Sequence, residues 1–354
     1  PSAAPSGAVG PGPGKMVSIP SGLLRAGSEC FAFPRSTDEE MVATGVEMAK
    51  FEIDLLPFPN DPGLPATVNV TRDEAAQACV KQGKRLCTEL EWERACKGPA
   101  NLVHEWGNRF NHDTCRTQPD RMPWRRPSCR SQFGVSDLHG LVFEWTASSW
   151  GRGTTGNAAT VRGSSFRDVS ALNGRCANGA PRAPEQRYDD VGFRCCAYPR
   201  NSAEVRLDVR KDQTLVRGPA LGPELESMLL WGMPADHRET AGAKTGFDQL
   251  WIWHPVAGEE LVLGRWYDER AGGRRQYEVA AFKICHQRAW LLERMSGPAA
   301  ALDAPEEQGD PKLLRVRVSS GSERGAVGLR YWHGSVKLAE PGWILSGGRP
   351  QPPR

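Results

Sequence analysis

The chain lacks any apolar run of the roughly 18 residues that a membrane-spanning helix needs. It also lacks a strong charge of either sign. Forty-five Lys and Arg stand against 42 Asp and Glu, a formal net charge of +3, too even for the basic field that nucleic acid binding calls for. Several catalytic signatures are missing: the G-x-S-x-G nucleophile turn, the H-E-x-x-H zinc helix and the Rossmann glycine triplet. Residues 10–15 alternate glycine and proline before Lys15, but Pro11 and Pro13 remove the amide donors that a phosphate loop requires. The seven histidines (His104, His112, His139, His237, His254, His286 and His333) show no H-x3-H spacing and read as structural or surface residues. No C-x2-C pair faces another, which argues against a zinc site. No internal repeat links the two halves.

Cysteine, by contrast, is plentiful. Nine of the ten lie within residues 30–196, and Cys285 follows alone. Without metal spacing, this density reads as a disulfide framework and so as an oxidising, extracytoplasmic setting: bacterial periplasm, outer surface or medium. Cys115 and Cys129 are expected to pair locally. Residues 1–14 contain only Pro, Ser, Ala and Gly besides Val9 and read as a flexible linker. Such a tail is compatible with a lipid anchor or signal upstream. A chain of 354 residues predicts two domains, since one core rarely grows beyond ~250–300 residues.

Two helices announce themselves by capping boxes. Thr71–Arg72–Asp73–Glu74 opens the first, with Ala75, Ala76, Cys79 and Val80 as its apolar face and Gly83 as its stop. Thr88–Glu89–Leu90–Glu91 opens the second, which ends near Gly98–Pro99. The rest of residues 16–200 is short apolar runs punctuated by Gly, Pro and Asn.

Six ordered segments of this region stand out: Met16–Gly22 with Ala26–Ser28; Phe51–Asp54 with Pro59–Asn60; Gly83–Glu93; Trp106–Asn108; Gly134–Thr146; and Val161–Asp168 followed by Gly192–Cys195. Together they resemble the formylglycine-generating enzyme (sulfatase-modifying factor) family, the first of them its opening hairpin. The resemblance implies a loop-rich, C-type-lectin-like domain over residues 15–200. Active members carry two cysteines that bind copper(I); here Asp168 and Asn173 stand at those positions. A carboxylate and an amide do not suit a soft ion, so no copper is expected and the oxidase chemistry is expected to be lost. Leu141 and Phe143 also replace the family's usual asparagine and tryptophan. The resemblance implies the bridges Cys79–Cys195 and Cys96–Cys176. Cys87 and Cys196, both additions to the family pattern, are expected to pair, with Cys87–Cys79 as the rival. Cys30 and Cys285 remain, and a bridge between the two domains is one option for them. The resemblance further implies a calcium site formed by Asp137 and Glu144 side chains with the Gly140 and Val142 carbonyls, hard oxygens on a tight turn.

After Arg200, period-2 alternation takes over, as in Glu204–Val209, Leu250–Trp253, Glu260–Leu263, Tyr277–Phe282, Leu313–Val318 and Val327–Trp332. Residues 201–350 therefore read as an all-β, sandwich-like domain of seven to nine strands, with Pro298–Asp310 a polar loop. The fold class is α+β overall. Seven of the twelve tryptophans lie in this half, among them Trp251, Trp253, Trp266 and Trp332. Core packing accounts for them, with glycan stacking the competing use.

The function expected is a non-catalytic binding or scaffold protein of a cell-envelope assembly, with a protein or peptide partner. A copper-independent enzyme using Asp168, His139 or Glu144 is the alternative, and a glycan-binding C-terminal domain the third reading.

Overall fold

The computed structural model describes residues 11–345, apart from 38, 116–118, 153–155, 208–214, 236–243, 257–258, 270–274, 297–300, 303–305, 308–309, 311, 321–322 and 340–343. Most of the expected linker 1–14 lies outside the described residues. Cα packing divides the chain into two units. The first takes residues 1–29 and 39–207, the second 30–38 and 208–354. The boundary thus falls at Leu207, and nine residues, Cys30–Asp38, leave the first unit to join the second.

The first unit is mostly β with short helices. Strand β1 (Met16–Ile19) pairs antiparallel with β4 (Phe51–Asp54), and β2 (Gly22–Ala26) with β3 (Thr44–Met48). The expected opening hairpin is therefore not formed, because each of its arms pairs with a later strand. Helix α1 (Arg72–Lys81) and helix α2 (Glu89–Lys97) both begin with complete capping boxes, at Thr71 and Thr88. Gly83 follows α1 at φ +69° and Gly98 ends α2 at φ +67°, left-handed positions that suit glycine. Val80 does not belong to the buried face of α1 and is 66 % exposed.

Strand β5 (Arg85–Leu86) and the short helix α3 (His112–Cys115) precede β6 (Phe143–Ser149), β7 (Ala159–Gly163), β8 (Gly179–Arg182), β9 (Val191–Phe193) and β10 (Cys195–Ala197). One sheet runs β1-β4-β10-β5, another β8-β7-β6-β9 with β6 and β9 parallel. Arg194 is the single residue between β9 and β10, where the chain changes sheets. Four disulfides staple this unit: Cys79–Cys195, Cys87–Cys196, Cys96–Cys176 and Cys115–Cys129.

The second unit contains one five-stranded antiparallel sheet: β11 (Leu215–Arg217), β12 (Lys244–Trp253), β13 (Leu261–Glu269), β14 (Arg275–Cys285) and β15 (Arg288–Ser296). A second sheet holds β16 (Ala301–Leu302), β17 (Glu306–Glu307), β18 (Leu313–Ser320), β19 (Glu323–Trp332), β20 (Ser335–Leu338) and β21 (Ile344–Leu345). That is eleven strands among the described residues, two of them within the expected 298–310 loop. The described part of the 204–209 alternation, residues 204–207, forms no strand; Leu207 makes an isolated bridge with Arg152, and 208–209 lie outside the described residues.

Trp251, Trp253, Leu261, Leu263 and Val279 of the first sheet share one apolar cluster with Leu314, Val316, Leu329 and Tyr331 of the other. The five-stranded sheet's other face is covered by helix α4 (Pro223–Gly232), through Leu229 and Met233 against Phe247, Trp266 and Phe282. The sequence reading omitted this helix, although Pro223 at its first turn and Glu224 and Glu226 beside it are start signals. Cys30 and Cys285 form the fifth bridge, and both belong to the second unit.

Candidate functional site

Beyond β7 the chain makes a loop tied by its own backbone. The Asp168 amide donates to the Ser165 carbonyl at 3.1 Å, and the Gly174 amide to the Ser170 carbonyl at 2.8 Å. The Asn173 amide donates to Ser170 Oγ at 3.1 Å. These turns bring Asp168 and Asn173 together, and Asn173 Nδ2 donates a hydrogen bond to Asp168 Oδ2. Asp168 is exposed and Asn173 half-buried. Beside them Arg167 forms a two-pronged pair with Asp189 at 2.8 and 2.7 Å; the guanidinium's hydrogen bonds hold the Asp189 carboxyl below its usual range. The donors at the two positions are a hard carboxylate and an amide already joined to each other, which do not fit copper(I).

An aromatic and ionic layer supports this loop. His104 Nδ1 lies 2.7 Å from the Gly174 carbonyl, and the His104 ring stacks on Trp106 at 5.0 Å. Burial, only partly offset by that hydrogen bond, pulls the His104 pKa down to about 4, so the ring is neutral near pH 7. His139 donates through Nε2 to the Arg175 carbonyl at 3.2 Å and shares a hydrogen through Nδ1 with Glu105 Oε1 at 3.1 Å. That same Glu105 oxygen lies 3.3 Å from both sulfurs of the Cys115–Cys129 bridge. Neither oxidised sulfur has a hydrogen to donate, so this is a carboxylate packed on a disulfide. His139 is fully buried and both ring nitrogens are engaged.

The expected calcium residues fall on the turn into β6. Gly140 takes φ +74°, and its amide donates to the Ser164 carbonyl at 2.9 Å. Glu144 is fully buried, yet both its oxygens are occupied. Arg194 Nε and Nη2 donate to them at 2.7 Å each, and Trp92 Nε1 donates to Oε2 at 2.7 Å. Arg194 also donates to the carbonyls of Ser136 and Asp137 at 3.1 and 3.2 Å. A guanidinium thus supplies at Glu144 the positive charge that a metal would bring, and Glu144 does not fit as a calcium ligand. Asp137 is different: Oδ2 accepts from the Trp124 amide at 2.8 Å, while Oδ1 is buried with no hydrogen-bond partner. Burial lifts its carboxyl to about 7, against the pull of that amide, with nearby Glu105 and Glu144 adding to the rise.

Several residues that organise the site carried no role in the sequence reading. Arg194 belongs to the Gly192–Cys195 segment, but its partner Glu144 is 50 residues away. Arg162 lies in the Val161–Asp168 segment and reaches back to α2, donating to Glu89 at 2.8 Å and Glu93 at 3.1 Å. Burial alone would lower the Arg162 pKa; Glu93 and Glu89 outweigh it and raise it. Leu141 and Phe143, the two departures noted above, are both buried.

Part of the chain is similar to known proteins. Residues 56–198 match the sulfatase-modifying factor enzyme 1-like domain. The chain is 28 % identical over 149 residues to the inactive C-alpha-formylglycine-generating enzyme 2 of Bos taurus, covering 37 % of this chain and 49 % of that protein. It is 26 % identical over 161 residues to the formylglycine-generating enzyme of Mus musculus, covering 37 % and 43 %. It therefore spans about half the length of these relatives or less. The solved structure of PvdO from Pseudomonas aeruginosa is similar at 19 % identity and a TM-score of 0.43, covering 51 % of this chain and 93 % of that one. Residues 56–198 thus carry a domain of the formylglycine-generating enzyme family, at low identity and with a hydrogen-bonded Asp168–Asn173 pair where the resemblance places the copper-binding cysteines.

Proposed function

We propose that the first unit is a non-catalytic binding module that presents the loop around Asp168 and Asn173 to a protein or peptide partner in an extracytoplasmic, envelope-associated assembly. The observation that carries this reading is the hydrogen bond between those two side chains. A soft-metal site has become a closed polar pair, exposed and flanked by the Arg167–Asp189 ion pair, which suits recognition of a polar surface. The candidates for a groove enzyme support it from the other side: His139 and Glu144 are buried and fully hydrogen-bonded, so neither reaches a substrate beside Asp168. One of the family relatives is itself named inactive. The disulfides favour an oxidising compartment. In this reading the first unit is lectin-like in fold, and the second, with two sheets about one core, is its sandwich-like companion.

Metal content tests the proposal. The purified protein, incubated with copper(I) or calcium and then desalted, is expected to keep no stoichiometric copper. Asp168→Cys/Asn173→Cys is expected to gain one copper(I). Stoichiometric copper on the unaltered chain overturns the reading. Calcium stays a proposal resting on the Asp137 carboxylate with the Gly140 and Val142 carbonyls; retention that Asp137→Ala abolishes would establish it.

A further inference from the structure

We propose that the second unit binds a neutral oligosaccharide in a cavity of about 660 Å³ between helix α4 and the tip of the β14–β15 hairpin, a site independent of the first unit's loop. The volume lies within the usual range for small-molecule sites.

Helix α4 has two faces. Leu225 and Leu229, with Met233 just beyond the helix end, turn toward the five-stranded sheet. Glu224, Ser227, Met228 and Trp231, at the i, i+3, i+4, i+7 spacing of one helix face, line the cavity. Trp231 is 71 % exposed, the most exposed large apolar side chain among the described residues. It is not one of the tryptophans that sequence reasoning singled out. Of those, Trp251, Trp253 and Trp266 are buried in the core.

The opposite wall is a two-residue turn. Cys285 pairs with Arg288, leaving His286 and Gln287 as the loop, at φ +50° and +59°. Both residues are left-handed, the arrangement that closes a tight hairpin, and Gln287 and Arg288 lie on the cavity wall. The base of this turn is held by the Cys30–Cys285 bridge, and Trp290 two residues on stacks on Phe31 at 4.9 Å. The wall is therefore ordered before a ligand arrives, which lowers the entropy lost on binding.

This set of groups matches one ligand chemistry. An indole face offers a flat apolar platform for the C–H face of a pyranose. The Glu224 carboxylate, Ser227 hydroxyl, Gln287 amide and Arg288 guanidinium surround it with the acceptors and donors that ring hydroxyls need. Among the described lining residues one acid, Glu224, and one base, Arg288, balance, so a polyanion gains nothing over a neutral sugar.

Calorimetric titration of the full chain with cellotetraose, chitotetraose, maltotetraose, mannotetraose and heparin tests this. At least one neutral oligosaccharide is expected to bind. Trp231→Ala should weaken it roughly tenfold or more, with Trp231→Phe in between and Gln287→Ala losing severalfold. Trp332→Ala, an exposed tryptophan outside the cavity, should leave the Kd unchanged. Binding of none of the four neutral sugars, binding of heparin alone, or a Trp231→Ala variant that binds as tightly as the parent overturns the proposal.

Discussion

The two units of this chain are stabilised by different physics. The first has little regular structure, and every residue of α2 is buried, including Glu89, Glu91, Glu93, Arg94 and Lys97. The three carboxylates are all ion-paired, Arg152 and Arg162 on Glu89, Arg162 and Lys97 on Glu93, Arg85 on Glu91, while Arg94 donates to the Leu23 and Gly98 carbonyls. Four disulfides close loops around them. The second unit is long antiparallel strands on an apolar core with one bridge. A fold rich in loops buries too little apolar area to hold itself, so covalent and ionic ties take over; a regular sheet supplies that area directly.

Reduction should separate the units most sharply. The bridges Cys79–Cys195, Cys87–Cys196 and Cys96–Cys176 span 116, 109 and 80 residues. A single loop of that length is worth about 4–5 kcal/mol on the loop-entropy model. With dithiothreitol, hydrogen exchange should lose protection across β1, β4–β10, α1 and α2, while β12–β14 stay protected. Equal loss in both units would end the comparison.

Single substitutions come next. Leu263→Ala opens a cavity in the second unit's core at about 2–5 kcal/mol. Arg162→Ala removes the guanidinium shared by Glu89 and Glu93, which keep Arg152 and Lys97, and should cost the first unit about 1–3 kcal/mol through the lost charged hydrogen bonds. Scanning calorimetry should show each variant lowering one transition and sparing the other. A smaller effect involves pH. The folded His104 pKa of about 4 lies below the ordinary 6.5. As pH falls, the unfolded chain therefore takes the proton first. The stabilisation is whole above about pH 6.5 and is lost as pH drops toward 4, by about 1–3 kcal/mol. His104→Asn should flatten that part of the first unit's acid profile. Least of all, Arg167→Ala removes an exposed pair and should leave both transitions where they are, since such pairs are screened by water.

What could be read from the sequence follows the range of the interactions involved. Capping boxes at Thr71 and Thr88 are local, and both helices start where those residues say. Period-2 runs placed the cores of β12, β13, β14, β18 and β19. Pairing is not local. Nothing in Met16–Ser28 reveals that its two strands pair with β4 and β3. The site was legible as a position, through Asp168 and Asn173, but not as an environment. The Arg194–Glu144 contact and the Glu105 carboxylate on the Cys115–Cys129 bridge exist only once the sheets have met. The Cys30–Asp38 crossing has no signal in composition.

The disulfide connectivity carries a consequence for biosynthesis. Taken in the order in which a growing chain would release them, the ten cysteines pair natively with an immediate neighbour only at Cys115–Cys129. Cys30 must wait 255 residues for Cys285, and Cys79, Cys87 and Cys96 all wait past residue 175. An oxidant that joined thiols as they emerged would build the wrong set. The native set therefore forms either after folding has brought the distant cysteines together or by mixed-disulfide exchange among earlier bonds.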